Sequence, residues 1–191
     1  MRIFYILLSI LSPFLLFSQT NTFVFKSYNV DNGLSDNYVE QVFEDSRGFV
    51  WMATHNGLNR FDGHSFKTLE LKTGDPVHRN FVTSLAEDAN HILWIGTLSG
   101  VFLYDLNQDT IYHFQNDPSK RDMFSSMYVE DIVFDGHGNT WIATRIGLTK
   151  IDKKGNISKF IADYNNPRAL PGAYISSLCA DHWGTIWIAP Y

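Results

Sequence analysis

The chain has 191 residues, 45% of them hydrophobic and 18% charged, with a formal net charge of −5 at pH 7. That apolar share suits a packed globular protein and excludes disorder as the governing state. The acidic balance, with no run of Lys or Arg, excludes a surface built to neutralise nucleic-acid phosphates.

In chain order, Met1 and Arg2 give a positive start, residues 3–17 are almost unbroken apolar sequence, and Ser18, Gln19 and Thr20 are small or polar. Residues 1–19 therefore read as a secretory signal peptide, which places the mature chain in the periplasm. The apolar run is short for a helix that must span roughly 20 residues of bilayer, and an uncleaved anchor is the alternative. No Cys stands at the cleavage point, which argues against lipid attachment. The sole cysteine, Cys179, rules out an intramolecular disulfide.

From residue 39 onward the chain repeats. Trp51, Trp94, Trp141 and Trp187 are 43, 47 and 46 residues apart. Asp45, Asp88, Asp135 and Asp181 each lie six before a Trp; Val39, Val82, Val129 and Ile175 each lie six before that Asp. Gly57, Gly100 and Gly147 each follow their Trp by six. A period of this size signals a repeat architecture. Each unit reads as four short strands separated by turn signals, hence antiparallel hairpins. The first strand, VEQVF in unit one, is apolar on both faces and is expected to be buried between neighbouring sheets. The fold class expected is all-β: a β-propeller of four-stranded antiparallel blades, incomplete, with three full blades and part of a fourth. The partial propeller covers 23–191, with blades at 39–71, 82–115, 129–162 and 175–191. Residues 23–28, FVFKSY, read as the outer strand that would close a final blade.

The recurring letters have physical roles. D-x-x-G closes the first hairpin: the Asp accepts backbone N–H groups and the Gly tolerates positive φ. The second unit has His91 where the others have Gly, so His91 is expected to take the left-handed conformation at some cost. The Trp is a wide apolar plate between sheets. Ala53, Gly96, Ala143 or Ala189, two residues on, lets sheets approach closely. T-x-x-G marks the next turn.

The stretch GLSDNYVEQVFEDSRGFVWMATHNGLNRFDG, residues 33–63, resembles the two-component regulator propeller repeat, roughly G-L-S-x-N-x-V-x-x-I-x-x-D-x-x-G-x-[IL]-W-I-G-T-x-x-G-L-x-x-[FY]-D. The later units match from their Val or Ile onward; Asn80 and Ser125 are what remains of their G-L-S start. The resemblance implies the periplasmic sensor region of a hybrid two-component histidine kinase of Bacteroidetes-like bacteria, in which such propellers sense carbohydrates, often oligosaccharides. It implies binding rather than catalysis, and a kinase reached only through a membrane-crossing part beyond this sequence. Pro190 stands where the fourth unit should have its Thr. The expectation is therefore a fragment whose partners are the remaining blades or, alternatively, a homodimer mate.

Catalytic and metal chemistry find little footing. None of the seven histidines forms a close ligand pair, and DGHGN lacks the alternating oxygens of a calcium loop. Cys179 aligns with Phe43, Ala86 and Val133 and is expected to be a buried thiol. No metal or cofactor is expected. A glycosidase would need paired carboxylates, and aspartates fixed once per blade cannot be that pair; a glycosidase or lyase propeller and a non-signalling scaffold propeller are the alternatives. A ligand site is expected where loops into each first strand meet those between second and third strands. Asn37, His55, Asn56, Arg79, Asn80 and Arg145 lie there, beside an aromatic column of Tyr38, Phe81, Tyr128 and Tyr174 able to stack on sugar faces.

Overall fold

A computed structural model describes residues 23–71, 80–114 and 124–191. The expected signal peptide and Arg79 lie outside these residues. A 3-10 turn, Val30–Asn32, precedes fourteen strands. The first sheet is β1 (Val39–Glu44), β2 (Val50–Thr54), β3 (Gly57–Phe61) and β4 (Phe66–Leu69); the second is β5 (Val82–Glu87), β6 (Ile92–Thr97), β7 (Gly100–Asp105) and β8 (Thr110–His113). The third is β9 (Val129–Phe134), β10 (Thr140–Thr144), β11 (Gly147–Ile151) and β12 (Ile157–Phe160), and the last is β13 (Ile175–Ala180) with β14 (Ile186–Pro190). Strands follow chain order in every sheet and each neighbouring pair is antiparallel. The architecture is the one the repeat predicts: a fan of up-and-down blades, three of four strands and one of two. Residues 23–28 take no regular element, and Phe23, Val24 and Phe25 are exposed.

The core lies between sheets rather than within one. Trp51, Leu58 and Ala53 of the first blade meet Val82, Leu85, Ile95 and Tyr104 of the second. Trp94, Val101 and Leu103 of the second meet Val129, Ile132 and Ile142 of the third. Ala143 and Leu148 of the third meet Ile175 and Leu178. Each blade therefore depends on its neighbour to remove its apolar face from water.

Each repeat also carries an internal lock that joins two of its fixed letters. The Asp six before each Trp accepts the indole N–H: Trp51 Nε1 to Asp45 Oδ2 at 2.7 Å, Trp94 to Asp88 at 3.1 Å, Trp141 to Asp135 at 2.9 Å and Trp187 to Asp181 at 3.0 Å. The other carboxylate oxygen takes backbone amides of the turn, as in Arg47 and Phe49 to Asp45, both at 2.9 Å. One side chain thus closes the hairpin and fixes the Trp rotamer. In the turn itself Gly48, Gly138 and Gly184 have φ between 81° and 84°. His91 takes φ 62° in their place, the left-handed conformation expected of it. In T-x-x-G, the Thr hydroxyl donates to the Gly carbonyl, 2.8 Å for Thr54 to Gly57.

Two expectations require correction. No residue of β5 or β9 is exposed, but β1 differs: Val39 and Val42 are exposed, because among the described residues no sheet packs on that face of the first blade. Cys179 is exposed as well. Phe43, Ala86 and Val133, its equivalents, each pack on the cluster shared with the following blade. Cys179 points to the same side of its sheet, where no further blade is described.

Candidate functional site

One face of the fan is shaped by a defect repeated four times. In each first strand the register against the second slips after its opening residue: between Val39 and Gln41, Val82 and Ser84, Val129 and Asp131, and Ile175 and Ser177. The extra residues are Glu40, Thr83, Glu130 and Ser176. A bulge leaves its residue out of the ladder and re-aims its side chain. All four face one cavity of about 540 Å³, which is also lined by Gln41, Phe81, Leu98, Asp131, Arg145, Tyr174 and Ser177. Four sheets therefore contribute to one space, each through the same position.

Each carboxylate in it has a hydrogen-bond partner. Glu130 Oε1 accepts from Arg145 Nε at 2.6 Å, and the Arg145 guanidinium lies 4.9 Å over the Tyr128 ring. The hydrogen bond to Glu130 holds Arg145 above its ordinary pKa against the opposing effect of burial. Burial pushes the Tyr174 hydroxyl up, and the Glu130 charge pushes the same way. Glu40 bonds His55 Nε2, whose ring is stacked between Tyr38, at 5.1 Å, and Phe81, at 4.1 Å. Asp131 receives Ser84 Oγ at 3.0 Å on Oδ1, and Leu178 N at 2.8 Å with Ser177 Oγ at 3.2 Å on Oδ2.

Asp131 belongs to a second regularity. The first strand of each sheet is paired on one side only, which leaves edge amides to be satisfied. The amide of Leu85 donates to Gln41 Oε1, that of Ile132 to Ser84 Oγ, and that of Leu178 to Asp131 Oδ2. A polar side chain one position after the bulge in each blade thus meets the edge amide of the next.

The residues expected from the sequence fall in different places. His55 and Arg145 lie on this face, Arg145 in the cavity wall and His55 beside it, against Phe81 and Glu40. Asn56 is exposed at the T-x-x-G turn, where its amide donates to Thr54 Oγ1. Asn37 accepts the Val30 amide at 3.0 Å, joining the 3-10 turn to β1. Asn80 is buried with φ 66°; its Oδ1 accepts the Leu71 amide and its carbonyl accepts the Gly57 amide. Phe81 and Tyr174 of the aromatic column line the cavity, and Tyr38 stacks on His55. The bulged residues and Asp131 escaped the sequence reading. Their one signal is position, immediately after the opening Val or Ile of each unit.

Four sheets wound in chain order, with their inner edges around one cavity, define an incomplete β-propeller. Residues 33–56 and 77–99 match the model of the two component regulator propeller family. Fifty residues are 46% identical to Histidine kinase P4 of Formosa agariphila, over 26% of this chain and 4% of that protein. Two extracellular domains from B. thetaiotaomicron, assigned to hybrid two component systems, share the fold. One is 24% identical with a TM-score of 0.73, over 85% of this chain and 22% of its own; the other is 23% identical with a TM-score of 0.71, over 86% and 24%. Virginiamycin B lyase of Staphylococcus aureus has the fold at 15% identity and a TM-score of 0.61, over 82% of this chain and 50% of its own. The chain thus spans about a quarter or less of the length of that histidine kinase and of the two extracellular domains.

Proposed function

We propose that this chain is a ligand-binding part of a periplasmic or extracellular sensor propeller of a hybrid two-component system, and that its ligand is an oligosaccharide. The observation that carries the reading is the convergence of Glu40, Thr83, Glu130 and Ser176, one bulge from each sheet, on a single cavity beside Phe81 and Tyr174. Hydroxyls, carboxylates and one guanidinium suit sugar hydroxyls, and the aromatic rings suit the apolar faces of pyranoses. The role is binding, not catalysis. Glu40 is engaged by His55, Glu130 by Arg145 and Asp131 by Ser84, Ser177 and Leu178, so the carboxylates act as positioned acceptors. A ligand that touches all four bulges fixes the spacing of four sheets at once, and that change in geometry is what a kinase across the membrane would read.

The test is calorimetric titration of the purified chain with a panel of neutral, amino and acidic oligosaccharides. Binding to at least one class is expected, weakened at least about tenfold by Glu130→Gln or Arg145→Ala, the loss of one charged hydrogen bond. Binding by neither parent nor variants, or equal binding by all, would overturn the assignment.

A further inference from the structure

The joint between the second and third blades is open where the joint between the first and second is filled. At the filled joint Ser46 of one turn donates its amide and hydroxyl to Glu87 of the next blade, and its hydroxyl meets His91 Nδ1 at 3.0 Å. Beside these bonds Tyr104 meets Trp51 edge-on at 5.1 Å, and both Tyr104 and Leu106 are buried. One repeat later every one of these parts is replaced. Ala89 stands for Ser46, Phe134 for Glu87, Gly138 for His91, Ile151 for Tyr104 and Lys153 for Leu106. The hydroxyl, carboxylate and imidazole that tie the turns are gone, and the phenol that fills the joint is reduced to a shorter side chain. A cavity of about 560 Å³ lies there, between two complete blades and at the opposite end of their first strands from the bulges.

Its lining has an aromatic part and an acidic part. Trp94 brings Phe114 and Phe134 together, with ring centroids 5.3 Å and 5.9 Å from its own, and Ile151 lies beside them. Among the described residues that line it, Glu87, Asp88, Asp135 and Asp152 carry carboxylates and Lys153 alone a positive charge. Each carboxylate already makes at least three hydrogen bonds within the fold. Burial opposes the charge of Glu87 and of Asp135, but hydrogen bonds led by Ser46 and Trp141 hold both below the ordinary carboxylate range, Asp135 at about 2. The Asn156 hydrogen bonds hold Asp152 down in the same way. Those three keep their charge, and the oxygens of all four are occupied. The acidic part offers a ligand negative field rather than free acceptors.

We infer that this cleft is a second binding site, and that it takes a small quaternary ammonium compound with an apolar body. Such a cation has no N–H to donate and so needs no free acceptor. It is held by surrounding negative charge and by aromatic rings. An anion is repelled by the carboxylates, and a primary amine finds few oxygens left to accept its protons. The volume is that of a small-molecule pocket. The site shares no lining residue with the bulge cavity and does not depend on the oligosaccharide reading.

Calorimetric titration of the purified chain with benzyltrimethylammonium, benzyl alcohol and phenylacetate tests it, since one ring then carries in turn a positive, a neutral and a negative group. The cation is expected to bind at least about tenfold tighter than either of the others. Ile151→Tyr restores the residue that fills the first joint and is expected to weaken cation binding at least about tenfold. Circular dichroism establishes whether the variant is folded. If it is not, Gly138→His supplies the readout, with the same expected loss. His91 holds the equivalent left-handed position, and a Cβ on Gly138 meets nothing nearer than Lys153 Cβ at 3.7 Å. Asp152→Asn removes one charge without filling the cavity and is expected to weaken binding about threefold. Equal binding of the three probes, or binding of none, would overturn the inference. So would a folded, plugged variant that binds the cation like the parent, or an Asp152→Asn variant with undiminished affinity.

Discussion

Asp135→Asn is the most informative single substitution in this fold. The Asp135 carboxylate takes four donors: the amides of His137 and Asn139 on Oδ1, and Asn139 Nδ2 and Trp141 Nε1 on Oδ2, all between 2.7 and 2.9 Å. Burial pushes its pKa up, but the Trp141 and Asn139 hydrogen bonds prevail and lower it from the ordinary 3.8 to about 2. The group binds a proton less readily folded than unfolded. Its contribution is therefore present in full above pH 4 and lost as the pH falls from about 4 to about 2. A shift of this size corresponds to about 2 kcal/mol at neutral pH. Asn keeps the volume but turns an NH₂ toward one pair of donors, so the expected loss is about 3 kcal/mol. Urea unfolding followed by Trp fluorescence measures it at pH 7 and again near pH 2, where parent and variant should converge. Asp181→Asn is the control. It breaks the equivalent turn-amide and indole bonds, from Trp183 N, Thr185 N and Trp187 Nε1, in the last sheet, where Trp187 is exposed and water replaces them, so a clearly smaller loss than for Asp135→Asn is expected. The reasoning fails if Asp135→Asn unfolds within about 0.5 kcal/mol of the parent, or if the two substitutions cost the same.

Gly96→Ala should destabilise by about 1–3 kcal/mol in the same urea assay. Its Cβ would lie 2.8 Å from Val129 Cγ1 of the next blade, although Ala53 and Ala143 occupy the equivalent place in the first and third blades. A neutral result would show that the second and third sheets can separate freely. Thr149→Asn should raise the urea midpoint by about 0.5–1.5 kcal/mol in stability. In the first blade Asn59 bonds the Ser35 amide and hydroxyl at 3.0 and 2.7 Å, whereas Thr149 Oγ1 and Ser125 Oγ, in the equivalent places, are buried with no partner among the described residues. A lowered midpoint would mean that the third blade lacks room for the amide.

Fold and site were legible to different depths. The blade count and nearly every strand follow from columns of Trp, Asp and Gly, because these letters answer to local backbone needs that a sequence displays directly. The lock between Asp45 and Trp51 was visible only as a spacing of six: two columns in step do not say that one side chain bonds the other. The cavity was less legible still. Glu40, Thr83, Glu130 and Ser176 share no residue type, and a bulge inside a strand carries no turn signal, so nothing in the letters separates these residues from ordinary strand positions. His55 and Arg145, which lie on the cavity face, were picked out because they follow the Thr of a recognisable turn. Asn80 was selected because it lies in the loop leading into a first strand, yet its Oδ1 accepts the Leu71 amide from a left-handed backbone. Cys179 and Val42 were misplaced because burial in a repeat is a property of the neighbour, and aligning columns silently supplies a neighbour to both ends.

The chain of edge contacts through Gln41, Ser84 and Asp131 runs in one direction, each blade supplying the acceptor for the amide of the next. Gln, Ser and Asp all serve, so the joint is tolerant of which residue makes it. A duplicated or deleted blade arrives with one donor and one acceptor already in place and leaves the count of satisfied groups unchanged. Blade number can therefore change in evolution by copying whole units of DNA, with no new interface to be invented, while the residue in the bulge beside each joint can vary without breaking that joint.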